Sequence, residues 1–354
     1  MLATQAPLGE RMALFWHNHF TTQLRVIGSP QLMLRQHLLF RAQALGNYAD
    51  LLRSVITDPA MLAYLNGRNN RKGRPNENFA RELLELFTLG EGHYTEADIK
   101  AAARALSGWT LDPVSGTARF AIQRHDDGEK RFLGHAGHWG LDGIVAILLQ
   151  TPRTAEWLVE KLWRELISPE PDPVEVKRLA ALFRDAGYEV CPLLRALLLS
   201  DAFWAPANRG TLIKSPIELI VGTLRRLGLP APPGPQLVAL GRQMGQDLFD
   251  PPDVKGWRGQ NAWIDANTLL ARERFVNRIS RDLADESAQA GSAWAELDAA
   301  TLTRLLWPVD TGPAHLGGGP SLSDAEQGPP ATTEAAGVRE ALIAALLDPR
   351  YQLK

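Results

Sequence analysis

Apolar residues return at intervals of three and four along almost the whole chain, and this helical period restricts the fold more than any other feature. Met12, Phe15, Trp16, His19 and Phe20 mark one such face between Glu10 and about Ile27. Similar patterns predict helices near 30–46, 47–57, 76–89, 95–107, 141–150, 153–168, 174–186, 191–201, 214–227, 235–247, 266–286, 296–306 and 335–347. Several apolar runs stop at Asp58-Pro59, Thr151-Pro152 and Asp348-Pro349, where proline disfavours helix before it and can begin the next one. Thr95 with Asp98 resembles a capping box, and Gly90 suits a left-handed helix end. Strand signals are few. The best, Ala118 to Gln123 before the turn-rich HDDGEK, allows at most a small β-hairpin near 118–133. The expected class is therefore mainly α, a multi-helical globular body.

A chain of 354 residues with 45% hydrophobic and 22% charged residues can bury a sizeable core. The body is expected over 1–308. Residues 309–334, rich in Gly, Pro, Ser and Thr, read as a flexible loop or linker, and 335–354 as a C-terminal helix that packs back on the body. A formal net charge of -2 supplies no basic face for nucleic acid. Cys191 is the only cysteine, which excludes an intrachain disulfide and a cysteine metal site, and in VCPLLRALLL it reads as a small core residue. No apolar run is long enough to span a bilayer. The N-terminus lacks the basic start and continuous apolar stretch of a signal peptide, so the sequence by itself points to the cytoplasm.

Polar chemistry concentrates between Arg74 and Trp109. In the helix expected at 76–89, Asn78, Arg81, Glu82 and Glu85 share one face, opposite Phe79, Leu83, Leu86 and Phe87. Two readings fit. Arg81 can pair with Glu85 on a solvated face or belong to a network that joins this helix to Asp98 and Arg104. Alternatively Glu82 and Glu85 form a buried carboxylate pair, held by Arg81 and Asn78, for acid–base work or cation binding. His17 and His19 in WHNHF are candidate ligands for a divalent metal, together with His125 and Asp126 of HDDGEK; His135 and His138 lie close by in sequence. Residues two apart on a helix point about 200° apart, so His17 and His19 reach one ion only if the helix ends or distorts there. His19, on the apolar face, reads equally well as a core histidine. HEXXH, GxxxxGK[ST], GxGxxG and GxSxG patterns are absent. Late in the chain, FDPPDVKGW and Trp263 read as an aromatic-pinned loop or a stacking platform for a flat ligand.

Six stretches carry a resemblance: WHNHF at 16–20, NENFARELLELFTLG at 76–90, YTEADIKAAARALSGW at 94–109, HDDGEKRFLG at 125–134, IKSPIELIVGTLRRLG at 213–228 and FDPPDVKGW at 249–257. In this order they resemble the bacterial DUF1800 family, a domain of unknown function. The resemblance implies envelope association, a periplasmic or exported location if the N-terminus is truncated, and a partner of the DUF1501 type. It implies no catalytic residues. The family's usual N-terminal helical segment before WHNHF is not visible here. Two functions are expected from different classes: a metal-assisted hydrolase or related activity on an envelope polymer or conjugate, or a non-catalytic helical scaffold acting with a DUF1501-type partner.

Overall fold

The computed structural model of the chain describes residues 1–287, Leu306 and 344–354. The helix expected at 296–306 (apart from Leu306), the loop or linker 309–334, and residues 335–343 of the last helix lie outside the described residues. The mainly α class is observed. Helices α1 (Pro7–His19), α2 (Leu24–Ile27), α3 (Pro30–Ala42), α4 (Tyr48–Ile56) and α5 (Pro59–Tyr64) come first. Then α6 (Asn78–Glu82) runs directly into a π-helical stretch, Leu83–Thr88, before α7 (Glu96–Ala105).

Two antiparallel hairpins interrupt the helices. β1 (Trp109–Leu111) pairs with β2 (Ala118–Phe120), and β3 (Lys130–Phe132) with β4 (His135–Gly137). The strand expected at 118–123 thus turns back on the residues before it, and HDDGEK leads into a second hairpin. Next come α8 (Leu141–Gln150), α9 (Pro152–Leu166), α10 (Pro173–Asp185), α11 (Val190–Leu198) and α12 (Asp201–Trp204). They are followed by α13 (Pro216–Arg226), α14 (Gly234–Gln243) and α15 (Ala266–Ser287).

The described chain divides into two compact units, Met1–Trp204 with Asp247–Arg258, and Ala205–Gln246 with Gly259–Lys354. Helix after helix of similar period carries no signal for that division. Several helix starts follow the proline corners. Ser29 and Asp58 cap α3 and α5 by accepting from Leu32 N and Met61 N, each with proline as the first helical residue. Thr95 and Asp98 form the expected capping box, and Gly90 takes the expected left-handed conformation at φ +81°.

In the first unit the core gathers Trp16, Phe20, Tyr48, Phe87, Leu162 and Phe183 at nearly zero exposure. Their polar tips are satisfied: Trp16 Nε1 donates to Ala44 O at 3.0 Å, and Tyr48 OH to Phe87 O at 2.8 Å. In the second unit, Leu224, Phe275, Val276, Leu346 and Tyr351 are buried, and Ile213 bridges antiparallel to Leu353. No helix among the described residues is long and apolar enough to cross a membrane.

Two sequence expectations change. The first helix ends at His19 and not at Ile27, because the backbone at Phe20–Gln23 leaves the helix so that buried polar side chains find partners. Thr21 Oγ1 donates to Asn18 O at 2.9 Å, and Gln23 Nε2 donates to Pro251 O at 2.5 Å. Cys191 is exposed, not core, since α11 buries Val190, Leu193, Leu194 and Leu197 and turns position 191 outward.

Candidate carboxylate site

Glu82 closes α6 and Glu85 lies in the first turn of the π-helical stretch. This stretch arises where Leu89 N reaches back five residues to Leu84 O at 2.9 Å, while Thr88 Oγ1 donates to Leu83 O at 2.6 Å. A wide turn frees carbonyls that an α-helix would use. Distant side chains take them up. Leu86 O accepts from Trp157 Nε1 at 2.9 Å and Lys161 Nζ at 2.8 Å; Leu89 O accepts from Arg153 Nε at 2.9 Å. Burial pushes the Lys161 ammonium down to about 7, with Arg164 adding repulsion.

The two carboxylates have different surroundings. Burial, and then the like charge of Glu85, raises the Glu82 carboxyl above its ordinary value, while Lys255 and Arg81 oppose the shift. Glu85 accepts a hydrogen bond from Tyr94 OH at 3.2 Å and lies 3.6 Å from Lys255 Nζ, which also stands 3.4 Å from Glu91. Tyr64 faces the same place: burial raises its phenol to about 12, with contributions from Asp253 and Glu82. Tyr94 is likewise raised to about 12, by burial and then by Glu85.

Lys255 and Asp253 are held by a rigid loop, Asp247–Arg258. Asn18 of WHNHF grips it with both ends of its amide, Oδ1 accepting from Trp257 N at 2.7 Å and Nδ2 donating to Trp257 O at 3.3 Å. Leu24 N donates to Phe249 O at 2.8 Å. Gly256 permits the approach, since its φ is +81° and a Cβ there would stand 2.3 Å from Asn18 Oδ1. Phe249 takes a left-handed φ of +66°, an unusual conformation for a bulky residue, and packs its ring on His17 and His37. Trp257 is buried, so the pinned-loop reading of FDPPDVKGW describes it better than a stacking platform. The sequence marks Lys255 only as part of the rigid loop and gives Tyr94 and Tyr64 no role. The first two lie inside the quoted motifs, and that was their only signal.

The other expected site residues go elsewhere. Arg81 makes a two-pronged ion pair with Glu96 at 2.6 and 2.8 Å and lies 3.6 Å from Glu77; it bridges α6 to α7 and does not pair with Glu85. Asn78 Nδ2 donates to Leu65 O at 3.4 Å. His17 Nε2 lies 3.1 Å from His37 Nδ1, and burial with repulsion from His37 pushes it down to about 3. His19 is enclosed by Phe15, Trp16, Phe20, Tyr48 and Phe87. Neither of its ring nitrogens meets hydrogen-bond geometry, although the Phe87 carbonyl is close enough to act on the ring electrostatically.

His125 Nδ1 pairs with Ser107 O at 2.9 Å. Arg104 grips Asp126 through two bonds of 2.8 and 3.1 Å, and these hold the Asp126 carboxyl down to about 2. Of the four candidate metal ligands, His17, His125 and Asp126 therefore have separate partners, and His19 sits in an aromatic enclosure. Among the described residues no three His, Cys, Asp or Glu side chains are grouped to hold a metal ion. WHNHF and NENFARELLE do meet, through FDPPDVKGW, whereas HDDGEK is fastened to Arg104 and Lys72.

The family described as "Protein of unknown function (DUF1800)" matches residues 1–353. The chain belongs to the DUF1800 family. No curated protein and no solved structure matches it. All six stretches named above fall within the DUF1800 match, and two of the DUF1800 motifs supply Glu85 and Lys255 to one polar cluster.

Proposed function

We propose that this DUF1800 protein is a hydrolase, or a related acid–base enzyme, whose working pair is Glu82 and Glu85. One observation carries this reading: an acid with raised proton affinity stands beside a second carboxylate where three sequence-distant motifs meet. Solvated helix faces have no reason to converge in this way. Glu82, whose proton affinity burial and Glu85 raise, is suited to act as the acid that delivers a proton to a leaving group. Glu85, oriented by Tyr94 OH and the Lys255 ammonium, is suited to receive a proton from water or to attack directly. Two carboxylates also supply hard oxygen donors, so a divalent cation shared with substrate oxygens is compatible with the pair. The envelope polymer or conjugate as substrate rests on the family resemblance alone.

The test is a hydrolysis panel of peptidoglycan fragments, chromogenic glycosides and esters, run with the full chain and with Glu82→Gln and Glu85→Gln. The expected result is turnover of one substrate class that falls by roughly 100-fold or more in each variant, within the range ascribed to general acid–base catalysis. Unchanged turnover in both variants overturns the reading.

One observation favours the scaffold reading as a second possibility. Leu34 and Leu38, one turn apart on α3, are 57% and 51% exposed. A DUF1501-type partner seated there would co-purify with the native chain and be lost with Leu34→Glu/Leu38→Glu.

A further inference from the structure

A cavity of about 700 Å³ lies within the unit Ala205–Gln246 and Gly259–Lys354. Ile213, Ile264, Leu269, Leu270, Val276 and Leu347 supply its apolar walls. Three of these, Leu269, Leu270 and Leu347, remain 47%, 43% and 40% exposed. Leaving large apolar groups in water around one concavity costs free energy that an apolar ligand would recover.

Two charged residues line the wall, Arg272 buried and Glu273 exposed. Arg272 lines the cavity at 2% exposure. Its Nη1 donates to Gln352 Oε1 at 2.7 Å and its Nη2 to Lys214 O at 3.0 Å, both neutral acceptors, and its Nε has no acceptor among the described residues. Lys214 feels Arg226, Arg272 and Lys354 as repelling neighbours, with Glu218 opposing them. Glu218 is engaged by Lys354 Nζ at 2.5 Å and by Ser215 N at 2.8 Å. Burial lowers Arg272 to about 10, against the opposing charge of Glu218, and is the first cause that lowers Lys214 to about 8. Glu273 also lines the cavity, but it is exposed and its charge is screened by solvent. Of the two charged lining residues, only Arg272 is withdrawn from solvent, and it has no carboxylate among its hydrogen-bond acceptors.

We propose that the cavity binds an amphiphile with an apolar chain and a single anionic head group, the chain lying on the leucine walls and the head directed toward Arg272. A carboxylate or a phosphate head satisfies the same chemistry. The inference goes beyond the acid–base reading of Glu82 and Glu85 and is independent of it.

The test is displacement of 11-(dansylamino)undecanoic acid from the full chain, with decanoate, decyl phosphate and decanol as competitors. The expected result is saturable probe binding, with decanoate or decyl phosphate displacing the probe at a concentration at least about tenfold below that of decanol; whichever anion is stronger names the head group. Leu270→Trp, at a half-exposed wall position, should remove probe binding. Arg272→Gln should erase the preference for anions over decanol, and Arg272→Lys, which keeps the charge if the neutral variant fails to fold, should retain part of it. Absence of saturable binding, equal displacement by decanol and decanoate, or binding unchanged by Leu270→Trp overturns the proposal.

Discussion

Burial raises the proton affinity of acids and lowers that of bases, and side chains early in the chain show both effects. His19 lies in an aromatic enclosure with neither ring nitrogen in hydrogen-bond geometry, and burial is the first cause of its lowered proton affinity. An unsatisfied buried polar group costs roughly 1–3 kcal/mol. His19→Phe should therefore be neutral or stabilise by about 1 kcal/mol in denaturant unfolding; a loss of more than about 2 kcal/mol would mean that the imidazole has an essential partner.

Asp58 shows the opposite shift. Burial raises its carboxyl to about 6, against the lowering effect of bonds from Met61 N and Gln36 Nε2 at 2.9 and 2.8 Å. A folded value above the unfolded value means that the protonated acid favours the native state, so this stability is present below about pH 4 and is lost as pH rises through about 6. The size is on the order of 2–3 kcal/mol. Asp58→Asn should flatten the fall in stability between pH 4 and 7, a change read by urea unfolding across that range.

The elements that position these groups were legible to different degrees. Apolar spacing places a helix at 76–89, and one is there, but its last six residues form a π-helical turn. Spacing cannot reveal that turn, because it is sustained by Trp157, Lys161, Arg153 and Tyr48, which arrive from other helices to take its carbonyls. The capping box at Thr95 and the left-handed Gly90 were legible because both depend on neighbours in sequence. Cys191 misled because an apolar run does not say which residue faces out.

The loop bearing Lys255 depends on one contact, and Gly256→Ala tests it. A Cβ would stand 2.9 Å from Asn18 O and 2.3 Å from its Oδ1, on backbone that disfavours any side chain. The variant should lose about 2 kcal/mol or more in stability, and if it still folds it should release the Trp257 ring from burial, seen as a red shift in tryptophan emission. An unshifted spectrum with full stability would show that the loop is not pinned there.

Across the whole molecule, the mainly α class and the family were readable because they rest on repeated local patterns and on motif order. The site was readable only in part. Glu82 and Glu85 could be picked out as neighbours on one helix face, but Lys255, Tyr64 and Tyr94 come from separate elements, and their arrival at Glu85 and Glu82 depends on tertiary packing. For the same reason the candidates grouped by residue type separate in space: His17, His125 and Asp126 have different partners, and His19 lies among aromatic rings.

The claim on which the account depends is that Glu82 and Glu85 form an electrostatically coupled pair tuned by Lys255. It is tested most directly by a ¹³C NMR titration of the Glu82 carboxyl in the native chain, in Glu85→Gln and in Lys255→Met. The account predicts that Glu82 titrates above the ordinary glutamate range, that Glu85→Gln lowers its value by removing a like charge, and that Lys255→Met raises it by removing an opposite one. A Glu82 that titrates in the ordinary range and responds to neither substitution would contradict it.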